Sequence, residues 1–311
     1  MPATHRRRLN RRQDRCRSDM RVSASQLNDY LRCPRCYQYR YLDRLDRRFR
    51  VVSPAQAMGE SIHAALHAFF LDPDPARRTR EQLANELRRQ WRREAYRDRD
   101  EERQYGLRAL DLLDRYYFRH DMTVHPLRLE YPFAVQLGAV TLAGVIDRID
   151  AASDGTHCLI DYKTGRHALT LDAAQEDLQL TVYALAFRAR YGKACERLQL
   201  HYLALNFDLT VTRSDAQLDA AQRALLQLAA TMQADREYAP RRNSLCPSCP
   251  YTIICPLTDD VQENETRRLD AGNRRLYLLF TAGVALAETE REPDAVLQRA
   301  LVTVQELLAV A

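Results

Sequence analysis

The chain has 311 residues, 46% of them hydrophobic and 29% charged, which is ample length for one large buried core or two smaller ones. Its formal net charge of +5 is a mild basic excess that permits nucleic-acid binding without demanding it. No apolar segment is long enough to span a membrane, the longest being residues 276–287, and the basic N-terminus has no apolar stretch behind it, so a cytoplasmic protein without a secretory signal is expected.

In chain order, residues 1–22 form an arginine-rich tail expected to lack structure, either an arm for phosphates or a stretch preceding a start at Met20. Ser23 or Ser25 can cap a helix through Leu27, Tyr30 and Leu31 that ends at Cys33-Pro34. A second helix over 55–71 carries Ile62, Leu66 and Phe69 on one stripe, and two charged helices follow over 79–97 and 105–120. After Pro126 the period changes. Residues 128–135 and 140–149 alternate around Leu137-Gly138, and a third strand, 157–162, follows the turn Ser153-Asp154-Gly155-Thr156. Then come a helix over 173–191, strands over 198–205 and 209–213, and a helix over 215–234. This order indicates an α/β fold, a mixed central β-sheet flanked by helices. Residues 259–311 are expected to form a helical C-terminal extension, with apolar periodicity at 275–286 and 296–310.

Lysine is nearly absent: Lys163 and Lys193 are the two lysines among 47 basic residues. Lysine is a compact charge whose pKa can be shifted for chemistry, which arginine does not offer. Lys163 lies two positions from Asp161 on a strand, so both side chains leave the same face while Tyr162 points away. If the hairpin folds about Asp154, Asp147 lies across from Asp161. Two carboxylates at that range repel, and a hard divalent cation such as Mg²⁺ relieves the repulsion. Ordinary salt bridges on a surface hairpin are the competing reading. His63 and His67 stand four apart on a helix, but Ala64 takes the place of the glutamate that a zinc protease needs, and His67 reads as a packing or surface histidine. Glu130, on the preceding strand, is a candidate for the same site or an edge-strand carboxylate facing solvent.

Cys246-Pro247-Ser248-Cys249 with Cys255 offers three thiols from one short loop. In a reducing setting such a cluster points to a metal. Cys33 is the candidate for a fourth ligand. Cys33-x2-Cys36 with Cys246-x2-Cys249 also has good zinc spacing. Cys158 and Cys195 lie in apolar runs and read as buried thiols, while Cys16 falls in the tail.

Gly144-x-x-Asp147, Asp161-Tyr162-Lys163-Thr164-Gly165 and Gln179-x-x-x-Tyr183 together resemble the PD-(D/E)XK nuclease superfamily in its RecB-like exonuclease branch. Gly59-Glu60-Ser61-Ile62-His63 is similar to that branch's histidine motif, and Ser25-x-Leu27-x-x-Tyr30-x-x-Cys33-Pro34 to its N-terminal motif. The resemblance implies a restriction-endonuclease-like core within a nuclease domain over 23–258. It implies Mg²⁺ or Mn²⁺ on His63, Asp147 and Asp161, with Lys163 positioning or deprotonating the attacking water. Gln179 and Tyr183 would lie beside the site, orienting Lys163 and the nucleic-acid strand. It further implies a [4Fe–4S] cluster on Cys33, Cys246, Cys249 and Cys255. The activity implied is phosphodiester hydrolysis, on single-stranded DNA or DNA ends, in DNA repair beside a separate helicase, because the chain carries no phosphate-loop motif. A CRISPR-associated nuclease working with adaptation proteins and a non-catalytic DNA-binding scaffold are the alternatives. Arginines over 88–99 would flank the strand's path or simply solvate a helix face.

Overall fold

A computed structural model describes residues 20–46 and 52–257 of the chain. Residues 1–19 of the arginine-rich tail and the expected extension over 259–311 lie outside the described residues, whereas Met20–Val22, expected to lack structure with the rest of the tail, form a strand. The chain divides into two compact units, 1–239 and 240–311.

The first unit opens with a short strand, β1 (Met20–Val22), and then α1 (Ala24–Arg32). Ser23 caps α1: its hydroxyl accepts from the Gln26 N–H, and the Gln26 side chain accepts from the Ser23 N–H. A one-turn helix, α2 (Pro34–Tyr37), follows. Three further helices come next, α3 (Pro54–Leu71), α4 (Arg80–Gln90) and α5 (Arg99–Arg119). The expected 79–97 helix is shorter, stopping at Gln90. Beyond it the Trp91 ring stacks on Tyr96 at 5.4 Å, and the Arg92 N–H donates to Ser61 Oγ at 3.1 Å. Asp98 caps the next helix by accepting from Glu101 N–H at 2.8 Å, which starts it earlier than the periodicity predicts.

The sheet is built from β1, β2 (Pro126–Leu137), β3 (Val140–Ala151), β4 (His157–Lys163), β5 (Arg197–Tyr202) and β6 (Phe207–Val211). It is mixed, as the element order predicts. β3 is antiparallel to β2 along one edge, and its other edge pairs with β1 over Val140–Leu142 and with β4 over Arg148–Ala151. β4 then runs parallel to β5, and β5 antiparallel to β6. The expected 173–191 helix is split into α6 (Leu171–Gln175) and α7 (Leu178–Tyr191). The cause is Asp177, whose carboxylate accepts from Leu180 N–H and starts a new helix. α8 (Asp215–Ala234) closes the unit with a second capping box at Ser214.

Period-2 alternation in β4 separates two cores. Cys158, Ile160 and Tyr162 pack with α3, α4 and α5 around Phe69, Leu112 and Tyr116. Leu159 packs in the other cluster, with Leu180, Tyr183 and Phe187 of α7 and Leu225 of α8. Gly144 is a steric requirement of the sheet. A Cβ there would lie 2.8 Å from Cζ of Phe133, its partner across the β2–β3 ladder.

The described part of the second unit, 240–257, is a run of turns. Short 3-10 helices cover Cys246–Ser248 and Thr252–Ile254.

Candidate active site

The site arises where β3 and β4 part. Their ladder ends at Arg148 opposite Ile160, a register that would next pair Asp147 with Asp161. That backbone pair is not made. The Tyr162 N–H donates instead to the Asp147 carboxylate at 2.9 Å, so the side chain stands in for the missing rung. β4 continues alongside β5 through Lys163, which leaves Asp161 and Lys163 on a strand supported from one side.

His63, on α3, approaches this point, with Nδ1 3.3 Å from Asp147 Oδ2 and its ring edge-on to Tyr162 at 5.9 Å. α3 is tied to the end of β4, because a Cβ on Gly59 would come within 2.9 Å of Thr164 Oγ1. Burial alone would lower the His63 pKa. The hydrogen bond and charge of Asp147, with the charges of Asp161 and Glu130, outweigh it and hold the imidazole above its ordinary value.

Glu130 enters from β2. The ladder pairs Leu129 with Arg148 and Tyr131 with Ile146, and skips Glu130, whose φ of +42° is left-handed. A non-glycine residue in that region stores backbone strain, and such strain concentrates at functional sites. One ligand atom each from His63, Glu130 and Asp147 lie within 4.8 Å of one another. Burial, then the charge of Asp147, raises the Glu130 pKa.

Asp161 stands beside this trio in a knot of its own. Gln179 Nε2 donates to Asp161 Oδ1 at 2.7 Å, Gln179 Oε1 accepts from Lys163 Nζ at 2.8 Å, and Tyr183 Oη lies 2.8 Å from Gln179 Nε2 and 3.4 Å from Asp161 Oδ1. Gln179 and Tyr183 are one turn apart on α7, so both reach the same carboxylate. Lys163 Nζ lies 2.7 Å from Asp161 Oδ2 as an ion pair, without hydrogen-bonding alignment, and that buried oxygen has no hydrogen-bond donor. Burial pushes the Asp161 carboxyl up; Lys163 opposes this and Asp147 adds to it. Burial would lower Lys163, but Asp161 raises it, so the resting lysine is an ammonium.

The residue types fit a hard divalent cation. Two carboxylates and an imidazole converge, a third carboxylate stands beside them, and burial with the charge of Asp147 raises the Glu130 and Asp161 acids. Mg²⁺ and Mn²⁺ take such oxygen-rich donors. His63, Asp147, Asp161, Lys163, Gln179 and Tyr183 are thus all brought together, and Glu130 joins them.

The structure adds a support that the motifs do not flag. Arg148, 4% exposed, forks onto Asp150 through two 2.7 Å hydrogen bonds. It also reaches the hydroxyls of Tyr116 at 3.2 Å and Tyr162 at 3.4 Å, and lies over the Phe70 ring at 4.1 Å. Strand alternation is the signal that could find it: beside an Asp147 that faces the site, Arg148 must point inward and requires a partner.

Of the candidate cluster cysteines, Cys33 lies in the first unit between α1 and α2, and Cys246, Cys249 and Cys255 lie in the turns of the second. The Asn243 N–H donates to Cys246 Sγ at 3.3 Å, and Thr252 Oγ1 donates to the carbonyls of Cys246 and Cys249. Cys158 and Cys195 are buried, as expected. No described helix is long and apolar enough to cross a membrane.

Among known protein families, the model of the PD-(D/E)XK nuclease superfamily matches residues 21–256. The crystal structure of SSO0001 is similar over 76% of this chain and 85% of its own, at 16% identity and a TM-score of 0.38. No curated protein matches the chain.

Proposed function

The chain belongs to the PD-(D/E)XK nuclease superfamily, metal-dependent phosphodiester hydrolases, and from that membership we propose a RecB-like deoxyribonuclease that degrades single-stranded DNA from its ends. The observation that carries the reading is the Gln179 knot, which fixes Asp161, Lys163 and Tyr183 beside the His63, Glu130 and Asp147 trio. His63, Asp147 and Asp161 would hold Mg²⁺ or Mn²⁺, with Glu130 within reach of the same ion. When bound, the ion polarises the phosphate and lowers the pKa of an attacking water.

The chain's own groups supply the rest. Lys163 is a cation in the resting site, so its first role is to face the developing negative charge on the phosphate oxygens. Gln179 holds Lys163 in place and occupies one Asp161 oxygen, while the other, Oδ2, faces the Lys163 ammonium at 2.7 Å. Asp147 keeps one oxygen on the Tyr162 N–H, which fixes its orientation.

We further infer a [4Fe–4S] cluster on Cys33, Cys246, Cys249 and Cys255. Three cysteines in one turn-rich loop and an N–H directed at Cys246 Sγ support it, since such donors tune cluster sulfurs. Bound, it would close a long loop of the chain and so restrict the unfolded state. A DNA-repair setting beside a separate helicase is the biological context we propose.

The test uses anaerobically purified protein with Mn²⁺ and two labelled substrates, linear and circular single-stranded DNA. Loss of the linear form alone is expected. Cleavage of the circle at the same rate overturns the exonuclease assignment and leaves the hydrolytic site intact.

A further inference from the structure

We propose that His120, His201 and Asp208 form a second metal site, for zinc, on the face of the sheet that carries Tyr162. The proposal does not depend on the nuclease reading. Topology sets it up. His201 and Asp208 are direct partners across the β5–β6 ladder, so their side chains share one face. His201 is also the β5 partner of Tyr162, whose side chain leaves β4 on the face opposite Asp161 and Lys163. α5 ends over this spot, and its cap residue His120 stacks on His201 with ring centroids 4.7 Å apart.

Hydrogen bonding leaves both imidazoles with a lone pair to offer. His120 Nδ1 is 3.0 Å from the Tyr116 carbonyl, which can only accept, so Nδ1 carries the proton. Nε2 then presents its lone pair to the Asp208 carboxylate, 3.2 Å from Oδ1 and 3.1 Å from Oδ2. Two acceptors at that separation repel unless a cation lies between them or the ring takes a second proton. His201 repeats the pattern. Nε2 faces the Gln199 side-chain oxygen at 3.3 Å and donates to it, which leaves the lone pair on Nδ1. That nitrogen is buried with no hydrogen-bond partner, in a residue only 4% exposed. A backbone or side-chain oxygen accepting the far N–H is how metal-bound histidines are held in the right tautomer.

The distances suit the ion. Ligands about 2.0–2.2 Å from a tetrahedral zinc stand about 3.4 Å from one another. His120 and Asp208 already approach that spacing, and one ligand atom from each of the three residues lies within 4.8 Å of the others. Arg119 Nε lies 3.2 Å from Asp208 Oδ2, which leaves Oδ1 for a metal. The side chains of His120 and Asp208 are 17% and 23% exposed, so solvent can supply a fourth ligand. Two imidazoles and a carboxylate suit zinc better than Mg²⁺. The ion would pin the end of α5 to the β5–β6 hairpin.

The test measures zinc per chain after equilibrium dialysis of the full-length protein, beside His120→Ala and Asp208→Asn, with circular dichroism as the check on folding. Each variant is expected to hold one zinc fewer per chain. Cobalt substitution separates this site from the cysteines: the parent-minus-variant spectrum should show ligand-field bands without thiolate charge transfer. Equal zinc in the parent and both folded variants overturns the proposal. If neither variant folds, long-range ¹⁵N imidazole spectra of the parent decide. Shifts at His120 and His201 on adding zinc support the site, and unshifted rings overturn it.

Discussion

Gln179→Ala isolates the knot on which the proposed chemistry depends. The substitution removes the 2.7 Å donor to Asp161 Oδ1, the 2.8 Å acceptor for Lys163 Nζ and one of the two partners of Tyr183, while leaving every proposed metal ligand in place. A hydrogen bond to a charged group contributes about 1.5–3 kcal/mol. At about 1.4 kcal/mol per tenfold, that corresponds to a loss of about ten- to a hundredfold in kcat. Because Gln179 orients Lys163 and does not hold the ion, the Mn²⁺ concentration for half-maximal rate should move less than kcat does. Thermal stability should fall as well, by about 2–4 °C per kcal/mol for a unit of this size. The assay is steady-state hydrolysis of labelled single-stranded DNA across a Mn²⁺ series, with differential scanning fluorimetry. A variant within twofold of the parent in kcat would refute the positioning role; so would a large fall repaired completely by more Mn²⁺.

Four further outcomes follow from the same geometry. Gly144→Ala forces a methyl against the Phe133 ring and should cost about 1–3 kcal/mol in urea unfolding, with Phe133→Leu restoring much of it in the double variant. Arg148→Met leaves Asp150 and two buried hydroxyls without their cation and should destabilise by about 3 kcal/mol, the low end for a broken buried pair because Asp150 is part-exposed. In metal-free protein the raised His63 pKa stabilises the fold fully below the ordinary imidazole value of about 6.5, and that contribution is lost as pH rises through the higher folded-state value. A pH series of melting temperatures for His63→Gln should therefore lack that step, whereas a parallel curve would remove the His63–Asp147 pair as its cause. Cys246→Ser should abolish the visible absorption of an anaerobically purified cluster, and an unchanged spectrum would exclude Cys246 as a ligand.

Much of this architecture can be read from the sequence, for identifiable reasons. The Asp154-Gly155 turn sets the β3–β4 hairpin, and the expected register of Asp147 against Asp161 continues the pairing found for Arg148 with Ile160. A helix over 215–234 matches α8 to the residue, because Ser214 is an unambiguous cap. Part of what escaped reading was set by partners distant in sequence, and part by single local backbone choices. β1 is three residues long and exists only because β3 offers an edge opposite β2. The break before α7 depends on one carboxylate turning back onto its own helix start. The left-handed backbone at Glu130 carries no composition signal, since glutamate has no preference for that region. His120, His201 and Asp208 come from three elements whose meeting requires the completed sheet.

Hydrolysis of end-labelled linear single-stranded DNA with Mn²⁺ by the parent, Asp161→Asn and Lys163→Ala, with DNA binding measured in parallel, decides whether this site is a nuclease centre. Shortening of the strand is expected with the parent and with neither variant, while all three still bind. Undiminished cleavage by both variants, or no cleavage of any DNA form by the folded, metal-supplied parent, would contradict that assignment.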